Sequence, residues 1–323
     1  MAQNYSVLRK EGCVYKMCQT ENETANTALA ELYAFINREL TAMTTNVVNN
    51  YAENMANREI NPFLTFDDLS IMKYMALGRS VDAQLGHRIQ RIIFYLARVR
   101  YGLLNVPNCV TIDIVNHEQK KIRCSLYSVA HNLPAQEQNA NFDPYKQAVL
   151  IGGNKSDRDI KRQLKVKAST DAMKKLSYEF DGIPDDVLDY IRIKSGKRIP
   201  IDLLFFDCDE TALNNANTFE IKMGGNLDTK NSESNAREVK DLLTLFSFLQ
   251  NNFSYFATCY GVSSASITTD IQRIVGNNAI LNNIAFWEKV IPSTEDTYTY
   301  NDFIDVFKRA FVSSGLEESL KNL

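Results

Sequence analysis

Residues 199–225 read IPIDLLFFDCDETALNNANTFEIKMGG, and this stretch constrains the fold more than any other in the chain. The run at 199–206 is almost wholly apolar and rich in Ile, Leu and Phe, which reads as a buried strand. A polar segment, DETALNNAN, turns the chain, and TFEIKM at 218–223 reads as a second strand that Gly224 and Gly225 end. Side chains alternate across a strand, so Glu220 and Lys222 project to one face and Ile221 to the other. Asp202 lies in the first strand, eighteen residues before Glu220, where a hairpin can set it beside that residue.

Two carboxylates and a lysine in this pattern suit hydrolysis of a phosphodiester. The reaction needs a hard cation to neutralise developing negative charge and to lower the pKa of a bound water. Mg²⁺ takes oxygen ligands and keeps several waters. Asp202 and Glu220 would supply carboxylates, and the backbone carbonyl of Ile221 a third oxygen. Lys222, a compact cation with three donors, would orient the attacking water or stabilise the pentavalent phosphorus.

A rival signature overlaps this one. Asp207 and Asp209, followed by Thr211, have the DxDxT spacing of phosphatases of the haloacid dehalogenase type, the first Asp a nucleophile and the second an acid/base. That pattern normally opens a Rossmann-like fold. Here it stands at residue 207 of 323, a strand carrying Glu220 and Lys222 follows it, and no later apolar strand ends in paired Asp residues. Asp207 and Asp209 read instead as polar residues at the end of a strand. Another acidic pair, Asp185 and Asp186 after Pro184, reads as the first turn of a helix.

Composition narrows the class. With 323 residues, 45% of them hydrophobic, the chain can bury a sizeable core. A formal net charge of -3 carries no global basic signal, but affinity for nucleic acid follows the local patch that meets the phosphates. Residues 155–175 hold eight Lys or Arg against three Asp, and residues 190–198 hold four basic residues and no acid. This positive charge lies just before the Asp202 strand. The six cysteines form no CxxC pair and read as free thiols of a reducing compartment. Three His, none in an HExxH pair, argue against a histidine-centred zinc site or a Ser/His/Asp triad. No apolar run approaches the length of a membrane span, and no leader pattern opens the chain, so a soluble, cytoplasmic protein without membrane partners is expected.

Helical patterning fills the first hundred residues. Residues 25–57 lack Pro and Gly; Gly78 is expected to close a short helix and Ser80 to cap the next. In that next helix, residues 79–102, Val81, Leu85, Ile89, Ile92, Leu96 and Val99 recur at helical spacing as a buried stripe. Arg88, Arg91 and Arg98 share its flank, either as a solvated edge or along a phosphate backbone. Residues 108–130 read as two strands, with Val110, Ile112 and Ile114 alternating in one and Ile122, Cys124 and Leu126 in the other. A further strand is expected within 147–157.

The strings MALGRSVDAQLGHRIQRI (75–92), VPN (106–108), FEIKMGGNLDTKN (219–231) and FATCYGVSSASITTDI (256–271), with Asp202 before Glu220-Ile-Lys222, resemble type II restriction endonucleases of the PD-(D/E)xK superfamily, most closely the ApaLI-like group. Ile201 stands between Pro200 and Asp202, a departure from the Pro-Asp of that pattern. The resemblance implies an α/β fold: a restriction-endonuclease-like core with a mixed central sheet flanked by helices, and a helical N-terminal part. On this view residues 1–105 serve dimerisation and DNA contact, residues 106–323 form the nuclease core, and both make one compact unit. It implies a homodimer that cuts double-stranded DNA at a short palindrome, GTGCAC in the prototype, with Mg²⁺ as cofactor. Two-fold symmetry in the protein then matches that of the site. A cognate DNA methyltransferase belongs to such systems without forming a stable complex.

Carried onto this chain, the resemblance makes Asp202, Glu220 and Lys222 catalytic, with Asp202, Glu220 and the Ile221 carbonyl as metal ligands. Asp82 is the candidate for an added acidic ligand from an N-terminal helix, beside its plain reading as a first-turn helix charge. Residues 224–237 read as a DNA-contacting loop in which Asn226, Lys230, Asn231 and Arg237 meet phosphates or base edges, with Arg88 and Arg91 as further contacts. Residues 261–270 are a second polar candidate, or an ordinary turn before the helix holding Gln272 and Arg273. Trp287 reads as a core anchor. The alternatives are the phosphatase using Asp207 and Asp209, and a non-catalytic DNA-binding protein on a nuclease fold.

Overall fold

The computed structural model describes residues 21–59, 68–102, 105–107, 109–115, 121–128, 173–179, 189, 198–209, 212–224, 229–246, 251–261, 269–292 and 298–323. The strand expected within 147–157, most of both basic runs, Asp185, Asp186 and Asn226 lie outside these. By contact density the chain divides into two units, 1–81 with 292–323 and 82–291. This division differs from the expected break at residue 105: the C-terminal helices belong with the N-terminal ones.

The first unit holds helices α1 (Glu21–Asn49), α2 (Tyr51–Glu59) and the opening turns of α3 (Leu69–Tyr101), with α7 (Tyr300–Ser313) and α8 (Leu316–Lys321) from the far end of the chain. In α1, Leu32, Ile36, Leu40, Met43 and Val47 recur every three or four residues and are fully buried. Phe303, Val306 and Ala310 form the matching stripe of α7, and the Tyr33 hydroxyl donates to Ser313 Oγ at 2.9 Å. Helix α7 starts in a capping box. The Asp302 amide donates to Thr299 Oγ1 at 3.2 Å, and the Thr299 amide donates to Asp302 Oδ2 at 2.8 Å. Thr299→Ala should lower stability by about 1 kcal/mol, read as an earlier midpoint in urea with an unchanged slope.

In the second unit α3 continues to Tyr101 without a break. Gly78 does not end a helix and Ser80 is not a cap, because the flanking apolar residues keep a buried stripe that outweighs the roughly 1 kcal/mol cost of an interior glycine. Ile89, Ile92 and Leu96 are buried as expected, while Val99 is 45% exposed.

Two sheets follow. The first runs β3 (Met173–Glu179), β1 (Cys109–Val115), β2 (Lys121–Ser128), β4 (Arg198–Ile201). Strands β1 and β2 are the expected hairpin, with Val110, Ile112 and Ile114 opposite Leu126, Cys124 and Ile122. Strands β3 and β4 add in parallel at the two edges. The second runs β5 (Leu203–Asp209), β6 (Ala212–Lys222), β7 (Asn251–Thr258), β8 (Ile280–Asn282). Strand β5 is antiparallel to β6, and β6, β7 and β8 are parallel. The parallel pairs are joined through helices α4 (Thr229–Leu245) and α5 (Thr269–Val275), as parallel connections require.

The second sheet is covered on both faces. Register sets Phe219 opposite Leu203 and Tyr255, on one face. There Tyr101 of α3 stacks on Phe205 at 4.0 Å, and Phe219 contacts the rings of Phe205, Tyr255 and Phe286 at 5.4, 5.0 and 6.0 Å. Phe286 belongs to α6 (Ile284–Val290), onto which α3 is clipped. The Tyr101 hydroxyl donates to the Lys289 carbonyl at 2.7 Å, and Arg100 donates to the carbonyls of Glu288 and Ile291, at the negative end of that helix. On the other face Phe256 packs with Ala236 and Val239 of α4 and Ile271 of α5. Trp287 is the expected core anchor, 3% exposed, its indole N–H donating to the Cys259 carbonyl at 2.8 Å.

The run at 199–206 is therefore not one strand. It splits at Asp202, β4 pairing in the first sheet and β5 in the second. The turn after it is also tighter than expected, since β6 begins at Ala212 and takes in the polar residues Asn214, Asn215 and Asn217. Among the described residues no helix is long and apolar enough to cross a membrane.

Candidate functional site

The carboxylate of Asp202 occupies the bend where the chain passes between sheets. Leu203 pairs with Phe219, so Asp202 falls beside Glu220 and Ile221. Its Oδ2 accepts from the Ile221 amide at 2.7 Å, and its Oδ1 accepts from the Gln90 side-chain amide of α3 at 3.1 Å. One face of β6 carries Glu220 and Lys222, opposite Phe256 and Thr258 of β7. Lys222 Nζ donates to Glu220 Oε1 at 2.6 Å. Asp202 and Glu220 are 9% and 8% exposed, whereas the Lys222 side chain keeps 32% of its surface.

Burial dominates the electrostatics. It pushes Asp202 up to about 6; the Ile221 N–H and Lys222 oppose this, and Glu238 adds to it. Glu220 rises to about 8, from burial first and then from the Asp202 charge, against the pull of Lys222. Burial works against the Lys222 ammonium, but Glu220, with Asp202 and Glu238 behind it, outweighs this and raises its pKa. Cys259, buried beyond Lys222, is pushed up to about 12, chiefly by burial and then by Asp202, and is an inert thiol.

Two carboxylates thus share a low-dielectric pocket with one ammonium, and each raises the cost of ionising the other. A divalent cation would remove that cost. The donor set fits Mg²⁺, which is commonly held by one or two carboxylates with water completing the shell. Among the described residues no group of three or more His, Cys, Asp or Glu converges into an all-protein cage.

The other expected site residues are spread more widely. Asp82 is exposed, two helical turns before Gln90 on α3; Gln90 is the side chain of that helix that reaches Asp202. Arg88 and Arg91 are only 6% and 9% exposed, so the helix withdraws them from the surface where a phosphate backbone would meet them. Residues 224–237 are not one loop. Gly224 is in a bend, and α4 begins at Thr229, so Lys230 and Asn231 fall in its first turn. The sequence there supports a helix, because Ser232, Asn235, Ala236, Val239 and Leu242 form a buried stripe. Arg237 is exposed on α4 and paired with Glu233 at 2.6 Å, one turn away. Asp207 and Asp209 end β5, in register with Asn215 and Ala212 of the antiparallel β6.

Sequence reasoning missed Gln90 and Glu238. Gln90 carries a readable signal, because it lies on the same line of α3 as Asp82 and Gly86, at i and i+4 spacing. Gly86 faces the end of β6, with Met223 Cγ at 3.9 Å from where its Cβ would stand. Glu238 neighbours the buried Val239 in the second half of α4, just past the residues 224–237 that read as a loop.

Comparison with family profiles, with curated proteins and with solved structures finds no match to this chain.

Proposed function

We propose that this protein is a Mg²⁺-dependent endonuclease of the type II restriction kind, built on a PD-(D/E)xK-like core. Its substrate is double-stranded DNA, cut by a homodimer at a short palindrome of the GTGCAC type. One observation carries the reading: Asp202, at the bend before β5, meets Glu220 and Lys222 at the end of β6, with both carboxylates buried and the Lys222 side chain partly exposed.

Asp202 and Glu220 would hold the cation, with the Ile221 carbonyl as a third oxygen. The cation, when bound, supplies charge neutralisation at the phosphate and a more acidic water. The Ile221 N–H and Gln90 fix the rotamer of Asp202, so its carboxylate is oriented in advance. Lys222 stays protonated, and its Nζ can shift from Glu220 to the phosphoryl oxygens as negative charge grows there. Water oxygen bonds to phosphorus and gives up one proton to solvent, one bridging P–O bond breaks, and the departing deoxyribose oxygen takes one proton from solvent to become a hydroxyl. The protein walls supply the low dielectric that strengthens these interactions.

The phosphatase reading gains no support, because the strand ending in Asp207 and Asp209 turns back antiparallel instead of entering a βα unit. Incubation of plasmid DNA with the protein and Mg²⁺ is expected to yield discrete fragments whose mapped ends share one sequence. Intact plasmid in both Mg²⁺ and Mn²⁺ would overturn the proposal.

A further inference from the structure

Tyr260 lies two residues beyond the end of β7 and is 60% exposed, although residues 254–259 before it are all buried. Its backbone is tied to the catalytic strand. The Cys259 amide donates to the Lys222 carbonyl at 2.9 Å and the Tyr260 amide to the Met223 carbonyl at 3.0 Å. The Cys259 carbonyl is held in turn by the buried Trp287 indole. The ring rests on Gly224. A Cβ built at that glycine would meet Tyr260 Cε2 and Cζ at 3.0 Å and the hydroxyl oxygen at 3.1 Å. A side chain at 224 would press on the ring and shift it by a few tenths of an ångström, so glycine lets the ring lie close over the backbone there. An exposed aromatic residue, its backbone tied to the catalytic strand, thus lies over Gly224, two residues beyond Lys222.

We infer that Tyr260 is a DNA-contacting residue that holds the strand next to the scissile phosphate, its ring against deoxyribose and its hydroxyl donating to a backbone phosphate. The inference rests on the nuclease reading of Asp202, Glu220 and Lys222. Its chemistry follows from what the ring offers. Tyrosine hydroxyls are regular donors to phosphate oxygens, and aromatic faces pack on exposed nucleotide surfaces. Lys222, whose side chain is 32% exposed, attracts the same polyanion. Gly224 then has a definite role, as the seat that sets the height of the ring.

The test compares wild type, Tyr260→Ala, Tyr260→Phe, Gly224→Ala and the Tyr260→Ala/Gly224→Ala double variant. Plasmid cleavage in Mg²⁺ gives kcat and KM, and a fluorescein-labelled duplex in Ca²⁺ gives Kd by anisotropy. Tyr260→Ala should raise KM and Kd about tenfold with kcat within about twofold and an unchanged Tm. Tyr260→Phe should recover most of the loss, and Gly224→Ala should weaken binding in wild type but add nothing to Tyr260→Ala. Equal KM and Kd for wild type and Tyr260→Ala would overturn the inference and leave the nuclease reading standing. Wild type that binds the duplex without cutting would overturn the nuclease reading, with Kd still deciding Tyr260. Wild type that does neither would overturn both.

Discussion

Lys222→Met should reduce Mg²⁺-dependent plasmid cleavage about a hundred- to a thousandfold, the scale expected when a donor aimed at developing negative charge is lost. The substitution keeps the length and apolar stem of the side chain and removes only the cation. In the wild type Glu220, Asp202 and Glu238 together outweigh the burial that opposes that cation and raise its pKa. Lys222→Arg should not rescue cleavage. A guanidinium is wider, planar and built for bidentate pairing, whereas this pocket holds a point charge 2.6 Å from one carboxylate oxygen. Near-UV circular dichroism should stay native-like, since the Phe219 aromatic cluster lies on the opposite face of β6 from Lys222. The assay is conversion of supercoiled plasmid to nicked and linear forms. A Lys222→Met protein retaining a tenth of the wild-type rate would rule this role out.

The parts of the fold that could be read from sequence are those where a local pattern and its burial agree. The β1–β2 hairpin is one, since its alternating apolar positions pair across the ladder. The middle of α3 is another, with Ile89, Ile92 and Leu96 buried as a stripe. Asp202, Glu220 and Lys222 come together because period-two alternation and hairpin pairing are strict geometry. What stayed hidden depends on contacts far apart in sequence. An apolar run does not announce that it changes sheet at Asp202, because Ile201 before the bend and Leu203 after it are both apolar and both buried. Arg88 and Arg91 look like a basic flank until the rest of the chain covers them. The association of α7 with α1, through contacts such as Tyr33 to Ser313, has no local signature at all.

Glu220→Gln is expected to make the metal-free protein more stable and inactive at the same time. The pKa of Glu220 rises from 4.5 to about 8 in the fold, and that of Asp202 from 3.8 to about 6. Between these limits the native state binds more protons than the unfolded chain, so stability falls as pH rises. The contribution of Glu220 is fully present below about pH 4.5 and is lost as pH climbs through 8. Burial is the largest cause, so the cost belongs to the charged carboxylate and a neutral amide of the same shape avoids it. At pH 8.5 without metal, Glu220→Gln should melt about 5 °C above wild type, and the gap should close near pH 4.5. Adding Mg²⁺ at pH 8.5 should raise the Tm of wild type, because the cation binds the charged native pair and not the unfolded chain. The same addition should leave Glu220→Gln almost unmoved and its cleavage undetectable. A Tm of wild type that does not fall between pH 5 and 8.5 would remove the buried-charge account. A Glu220→Gln protein stabilised by Mg²⁺ as strongly as wild type would remove Glu220 from the metal site. The carboxylate is then a group kept at a cost to the fold, offset only when the cation is in place.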